Sequence, residues 1–170
     1  MDSIGICGDN CSFCSRYLAT QSGETEELEK VKELWVHLGL RDPSFPPQGM
    51  ACYGCRPEND CAYSEVRACA YGKGLENCGL CQIYPCELLH AVIEKSEKLS
   101  SHAVHVCTPE EMDALYKAFL CKQQNLDRIH FDRDKANTIR KTADMPRKPP
   151  LCSPTSQTAI NTKRCSHPKQ

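Results

Sequence analysis

Fourteen of the 170 residues are cysteine, and ten of them lie between Cys7 and Cys86 in three clusters. The first is Cys7-Gly8-Asp9-Asn10-Cys11-Ser12-Phe13-Cys14. The second is Cys52-Tyr53-Gly54-Cys55, followed by Cys61 and Cys69. The third is Cys78-Gly79-Leu80-Cys81, followed by Pro85-Cys86. Each contains a C-x2-C turn, which sets two sulfurs on one side of a tight loop, where both reach a single ion at about 2.3 Å. Gly54 and Gly79 inside such turns let the backbone bend and aim N–H groups at sulfur, and Gly8 after Cys7 is placed to do the same. Buried, unligated cysteine does not explain a spacing repeated three times. The expected metal ligands are therefore Cys7, Cys11, Cys14, Cys52, Cys55, Cys61, Cys69, Cys78, Cys81 and Cys86.

Zinc takes four such ligands in a closed tetrahedral site, so ten cysteines suffice for two sites with two left over. Iron–sulfur clusters use four thiolates at similar spacings and are the alternative. Phe13, Tyr17, Tyr53, Tyr63, Tyr71 and Tyr84 each lie within three residues of a cysteine, an apolar shell that suits either metal. The C-x3-C-x2-C spacing of Cys7, Cys11 and Cys14 is also that of a radical-SAM cluster. That chemistry resides on repeated strand–helix units, which the text after Cys14 lacks.

Among the histidines, His90 follows Cys86 by four residues, so a helix there sets both on one side; it is a possible additional ligand. His102, His105 and Cys107 make a weaker H-x2-H-x-C candidate. Cys121 reads as a small buried apolar residue, and Cys152 and Cys165 as incidental thiols. A catalytic zinc needs an open position beside a general base, and neither H-E-x-x-H, nor H-x-E with a later P-C-x-x-C, nor a phosphate loop occurs. The enzymatic rival is thiol-redox chemistry. Cys86 at a helix start would have a lowered thiol pKa if unmetallated, but the βαβ pattern that accompanies redox C-x2-C motifs is missing. The balance leans away from an enzyme.

Four helices are expected to position these residues. Residues 26–38 place Leu28, Val31, Leu34, Trp35 and Leu38 on one face, stopped by Gly39 and Pro43. Ser64 caps a short helix over 65–71. Residues 86 to about 99 carry Leu88, Leu89, Val92, Ile93 and Leu99. Thr108-Pro109-Glu110-Glu111 reads as a capped helix start, and the helix after it is expected to bury Met112, Leu115, Tyr116, Phe119 and Leu120. The one weak strand signal covers residues 102–107.

Core material is thin. Leu, Ile, Val and Phe together make 31 of 170 residues, low for a globular domain, while the net charge of -1 is too small for a wholly disordered chain. Something besides apolar burial must hold the fold, and cysteine-bound metal is the candidate. Met1-Asp2-Ser3-Ile4-Gly5-Ile6 lacks the basic start and apolar stretch of a secretory signal, and no run approaches a membrane span. A reducing cytoplasm is expected, where thiols bind metal rather than form disulfides. From about residue 136 prolines, serines and threonines dominate and aromatics stop, a composition that stays disordered. Residues 133–170 hold nine Lys/Arg against two Asp, net +7, leaving -8 on residues 1–132. Such a tail makes a weak case for phosphate-only contact with nucleic acid.

The same motifs resemble an uncharacterised prokaryotic cysteine-rich family, domain of unknown function 3795. The resemblance runs from about Cys7 to Leu89. It rests on Cys7-Gly8, Cys11 and Cys14, on Cys52-x-Gly-Cys55, on Cys61 leading to Val66-Arg67-Ala68-Cys69-Ala70, on Gly74-Leu75, and on Cys78-x2-Cys81 with Tyr84-Pro85-Cys86-Glu87. It implies a metal-binding cysteine core, with zinc the usual assignment, a bacterial or archaeal cytosol, and no catalytic residue.

The expected fold class is thus mostly α: a small metal-stabilised cysteine-rich domain with irregular loops and little β over residues 1–100, a helical extension over 101–132 and a disordered basic tail over 133–170. The expected function is a zinc-binding interaction or regulatory module with a possible protein partner. An iron–sulfur or thiol-redox protein and a nucleic-acid binder through the tail are the alternatives.

Overall fold

The computed structural model describes residues 3–59 and 61–143. Six helices carry most of this chain: α1 (Ser15–Ser22), α2 (Thr25–His37), α3 (Ser64–Gly72), α4 (Glu87–Ala103), α5 (Pro109–Leu115) and α6 (Lys122–Ala143). Short 3-10 turns, Cys11–Phe13, Pro47–Met50 and Cys78–Leu80, punctuate the loops. The sole β feature among the described residues is an isolated antiparallel bridge between Ile4 and Asn10.

Apolar burial is divided into three small clusters rather than one core. Ile6, Cys7, Val66, Ala70 and Val92 join the first loop to α3 and α4. Ala19, Val31 and Met50 tie α1 and α2 to the Pro47–Met50 turn. Leu38, Ala103 and Leu115 bring the end of α2 against α4 and α5. Each cluster is a handful of side chains, as expected of a chain so poor in branched aliphatics.

The α2 face is realised, with Val31 and Leu38 buried and Leu28 and Trp35 packed beside them, and Gly39 beyond it takes φ +68° to turn the chain. At α5, the Thr108 hydroxyl accepts from the Glu111 N–H and the Glu111 carboxylate accepts from the Thr108 N–H, the reciprocal cap expected there.

Four expectations are corrected. Residues 102–107 form no strand: α4 continues to Ala103 because Leu99 and Ala103 are needed in the third cluster, and turns follow. At α3, Tyr63 rather than Ser64 occupies the cap position, and Ser64 is the first helical residue. Beyond α5 the chain winds into a π-turn, Tyr116–Leu120. Its wider turn shifts the helical phase, so Ala118 is buried and Tyr116, expected inside, is 49% exposed. The helix α6 runs to Ala143, so residues 133–143 are helical although their composition suggests a disordered tail. Side chains early in α6 dock it onto the cysteine-bearing loops, and the following turns propagate cooperatively from that anchor. The rest of the basic tail, with Cys152 and Cys165, lies outside the described residues.

No helix among the described residues is long and apolar enough to cross a membrane. The twelve described cysteines are free thiols.

Candidate metal centre

Cys11, Cys14, Cys52 and Cys55 come together between the first loop, α1 and the loop after Met50. Within residues 3–14, Gly5 N–H donates to Asp9 O (2.7 Å) and Cys11 N–H to Ser3 O (2.8 Å), which curls the loop around its cysteines. Cys14 holds the N-cap position of α1. Arg16 then reaches across, Nε donating to Met50 O (2.8 Å) and the guanidinium to Ala51 O (3.2 Å). Thr20 Oγ1, one turn on, accepts from Cys52 N–H (2.7 Å). One helix therefore carries Cys14 and fixes the backbone that presents Cys52. Gly54 bends that loop back at φ +89°, and Ile6 N–H donates to Cys55 Sγ (3.3 Å). A Cβ on Gly5 would stand 3.1 Å from Cys55 Sγ and 3.8 Å from Cys11 Sγ, so the two sulfurs meet over a residue that offers no side chain.

These thiols feel one another. Burial pushes the Cys11 thiol up to about 12, with Cys55, Cys14, Asp9 and Cys52 adding to the effect. Cys14 and Cys55 are raised in the same way, burial first and Cys52 contributing to both. Negative charge on any one sulfur disfavours it on the next.

Cys69, Cys78, Cys81 and Cys86 form the second set. Cys69 projects from α3, Cys78 and Cys81 bracket the 3-10 turn, and Cys86 caps α4. All four line one cavity, together with Val66, Ala70, Lys73, Leu75, Tyr84, Leu88 and Leu89. Its free space is about 20 Å³, room for roughly one water-sized sphere. Burial pushes the Cys78 thiol up to about 11, with Cys86, Cys69 and Cys81 adding to it. The exposed Lys73 ammonium stands at the mouth, 3.7 Å from Cys81 Sγ and with Cys69 as its other sulfur neighbour in charge.

The helix α6 holds the turn of this second set from behind. Arg133 donates to Leu80 O (2.8 Å) and Cys81 O (3.3 Å), and His130 Nδ1 lies 3.0 Å from Gly79 O. A Cβ on Gly79 would come within 2.7 Å of Leu126 O and 3.1 Å of Ile129 Cβ. Gly79 is thus required by the approach of α6, and its φ is not in the left-handed region, so the bend expected of it is not its role. Tyr84 completes the contact, its hydroxyl donating to Asp127 (2.6 Å) and its ring 4.8 Å from that of His130.

A family model described as "Protein of unknown function (DUF3795)" matches residues 3–91, more than half of the chain. The chain belongs to this family. The DUF3795 match takes in both four-thiol sets and ends inside α4, so α5 and α6 lie beyond it. No curated protein and no solved structure matches the chain.

Of the ten cysteines singled out by spacing, eight fall into these two neighbourhoods. Cys7 does not: it is buried beside Asp9 and the Lys122 ammonium, with Cys55 the weakest of its charged neighbours. Cys61 sits beside Cys55 with its sulfur accepting from Tyr63 N–H (3.4 Å). His90 is exposed on α4 and does not line the cavity, whereas Cys107 packs against the third apolar cluster. As the side chains stand, no three His, Cys, Asp or Glu among the described residues are arranged to hold an ion between them. The fit to a thiolate site lies in donor chemistry: soft sulfur ligands in fours, N–H donors on sulfur, and no carboxylate lining the second cavity. Sequence reasoning missed Lys73, whose only signal was one basic residue between two cysteine clusters. It missed the Asp9–Lys122 pair too, since the partners lie 113 residues apart.

Proposed function

We propose that this protein binds zinc through its cysteine thiolates and uses the metal to hold a module for interaction or regulation in the cytoplasm. The single observation that carries the reading is the cavity walled by Cys69, Cys78, Cys81 and Cys86, four sulfurs from three separate stretches of chain. Four thiolates gathered round one small space repel one another, and a divalent cation with a preference for sulfur offsets that repulsion. Room for about one small sphere suits a lone ion better than a multi-atom iron–sulfur cluster. A reducing compartment keeps the thiols competent as ligands.

Elemental analysis of protein purified under native, anaerobic conditions tests this. Zinc is the expected metal, with no visible absorption. Protein with intact thiols and no metal would overturn the reading, and a coloured, iron-containing preparation would replace zinc by an iron–sulfur cluster.

A further inference from the structure

We propose that the chain carries two separate four-thiol zinc sites, Cys11/Cys14/Cys52/Cys55 and Cys69/Cys78/Cys81/Cys86, that Cys7 and Cys61 ligate neither, and that Lys73 serves the second site alone. The proposal rests on the zinc reading above and deepens it by dividing the ligands.

The division follows from what holds each sulfur. The first four are gathered by α1 and the loop it grips through Arg16 and Thr20, with the Cys11 and Cys55 sulfurs converging over Gly5. The second four wall one cavity that contains none of the first. Ile6 stands between the two sets. Its N–H donates to Cys55 Sγ (3.3 Å), its carbonyl accepts from Cys78 N–H (2.9 Å), and its side chain is buried in the cluster between them. A buried, hydrogen-bonded residue there separates two centres rather than bridging one.

The leftover thiols have other occupations. Cys7 is buried, with Asp9 and Lys122 as its main charged neighbours and Cys55 the most weakly felt. Cys61 lies outside the cavity of the second set, and although it stands beside Cys55 it belongs neither to the first loop nor to the backbone that Arg16 and Thr20 grip.

Charge distinguishes the two sites. A zinc ion with four thiolates carries two excess negative charges. At the first site, the Ile6 N–H points at Cys55 and the Asn59 amide lies 3.9 Å from Cys52 Sγ. At the second site a full positive charge, the Lys73 ammonium, contacts Cys81 (3.7 Å) at the mouth of the cavity that Cys69 also lines. Being exposed, its effect is screened by salt.

Native mass spectrometry of the full chain counts the ions. The wild type should hold two, Cys14→Ser and Cys78→Ser one each, and Cys7→Ser and Cys61→Ser two. Because a cysteine variant can fail to fold, the wild type is also titrated stepwise with a chelator and alkylated at each step. Cysteines should become reactive in two blocks of four, matching the two sets. Lys73→Met should weaken only the second block's zinc, by roughly 3- to 10-fold at low salt and less at high salt, with Lys73→Arg restoring it. One ion per chain, a mixed block of eight, or loss of an ion from Cys61→Ser would overturn the division while leaving zinc binding standing. Metal-free wild type with intact thiols would overturn both.

Discussion

Lys122 opens α6 with a side chain only 2% exposed, and its ammonium ends on Asp9, whose side chain is 16% exposed. It also donates to Phe119 O (2.9 Å) and lies 4.8 Å from the centre of the Tyr63 ring. Burial opposes its charge, but Asp9, Cys7 and Tyr63 outweigh that and hold the ammonium's pKa above its ordinary value. Removing one partner of such a pair strands the other charge in a poorly solvated place. Lys122→Met is expected to cost about 3–5 kcal/mol in urea unfolding, and adding Asp9→Asn should recover most of that loss. A double variant as unstable as the single one would mean the pair is not the cause. The pH dependence has a definite sign. Burial pushes the Asp9 carboxyl above its ordinary 3.8, with Lys122 working against the shift. A folded state that binds a proton more readily than the unfolded chain gains stability as pH falls from the raised value toward 3.8. Through that window the wild type should therefore gain on Asp9→Asn as the solution is acidified, read from urea midpoints at each pH.

At the scale of elements, α6 explains both what the sequence reveals and what it hides. The α2 stripe and the Thr108 cap are local patterns, repeating every three or four residues or closing within one turn, and they are legible without the fold. The cysteine turns are legible for the same reason. The grouping of the sulfurs is not, because Cys69 meets Cys78, Cys81 and Cys86 only after α3 and α4 have packed, and spacing carries no such information. The helix α6 hides itself by being polar. Its buried contacts are a lysine, Leu126 and a few half-buried side chains, and no apolar stripe announces them. What it contributes is polar support: Arg133 and His130 on the second turn, and Asn125 Nδ2 donating to Gly8 O (2.9 Å) on the first loop. Arg133→Ala should leave Leu80 O and Cys81 O without that donor. With the Arg133 side chain 25% exposed, water recovers part of the loss, and the expected cost is about 1 kcal/mol. If the second set holds zinc as proposed, its release should be correspondingly faster, roughly 5-fold by the same energy, measured with a chromogenic chelator under reducing conditions. An unchanged release rate would show that α6 does not steady the turn.

Across the whole molecule, the three apolar clusters are too small and too separate to account for one cooperative fold. Ile6 and Val66 anchor the first, Met50 the second, and Leu38 and Leu115 the third, while the cysteine turns lie in the seams. Some of those cysteines join the clusters directly, Cys55 and Cys78 packing against the first. If each set of sulfurs grips an ion, the ions fasten the loops that the apolar clusters leave loose. A structural zinc contributes on the order of 10–16 kcal/mol apparent, against a whole-domain stability of about 5–15 kcal/mol, so a bound zinc would be enough to decide whether the cysteine-bearing region folds. The α5 cap lies outside the cysteine-bearing region, and helical content there should outlast the metal. Stripping metal with a strong chelator under reducing conditions is expected to unfold residues 1–100 and return them on adding zinc, with the loss of order followed by circular dichroism and by amide exchange along the chain. Exchange should quicken first around Cys78 and Cys81, whose cavity carries an exposed lysine at its mouth, and later around Cys14, which is buried. An unchanged spectrum after demonstrated metal removal would mean that the clusters suffice on their own and that the thiols do not hold the fold.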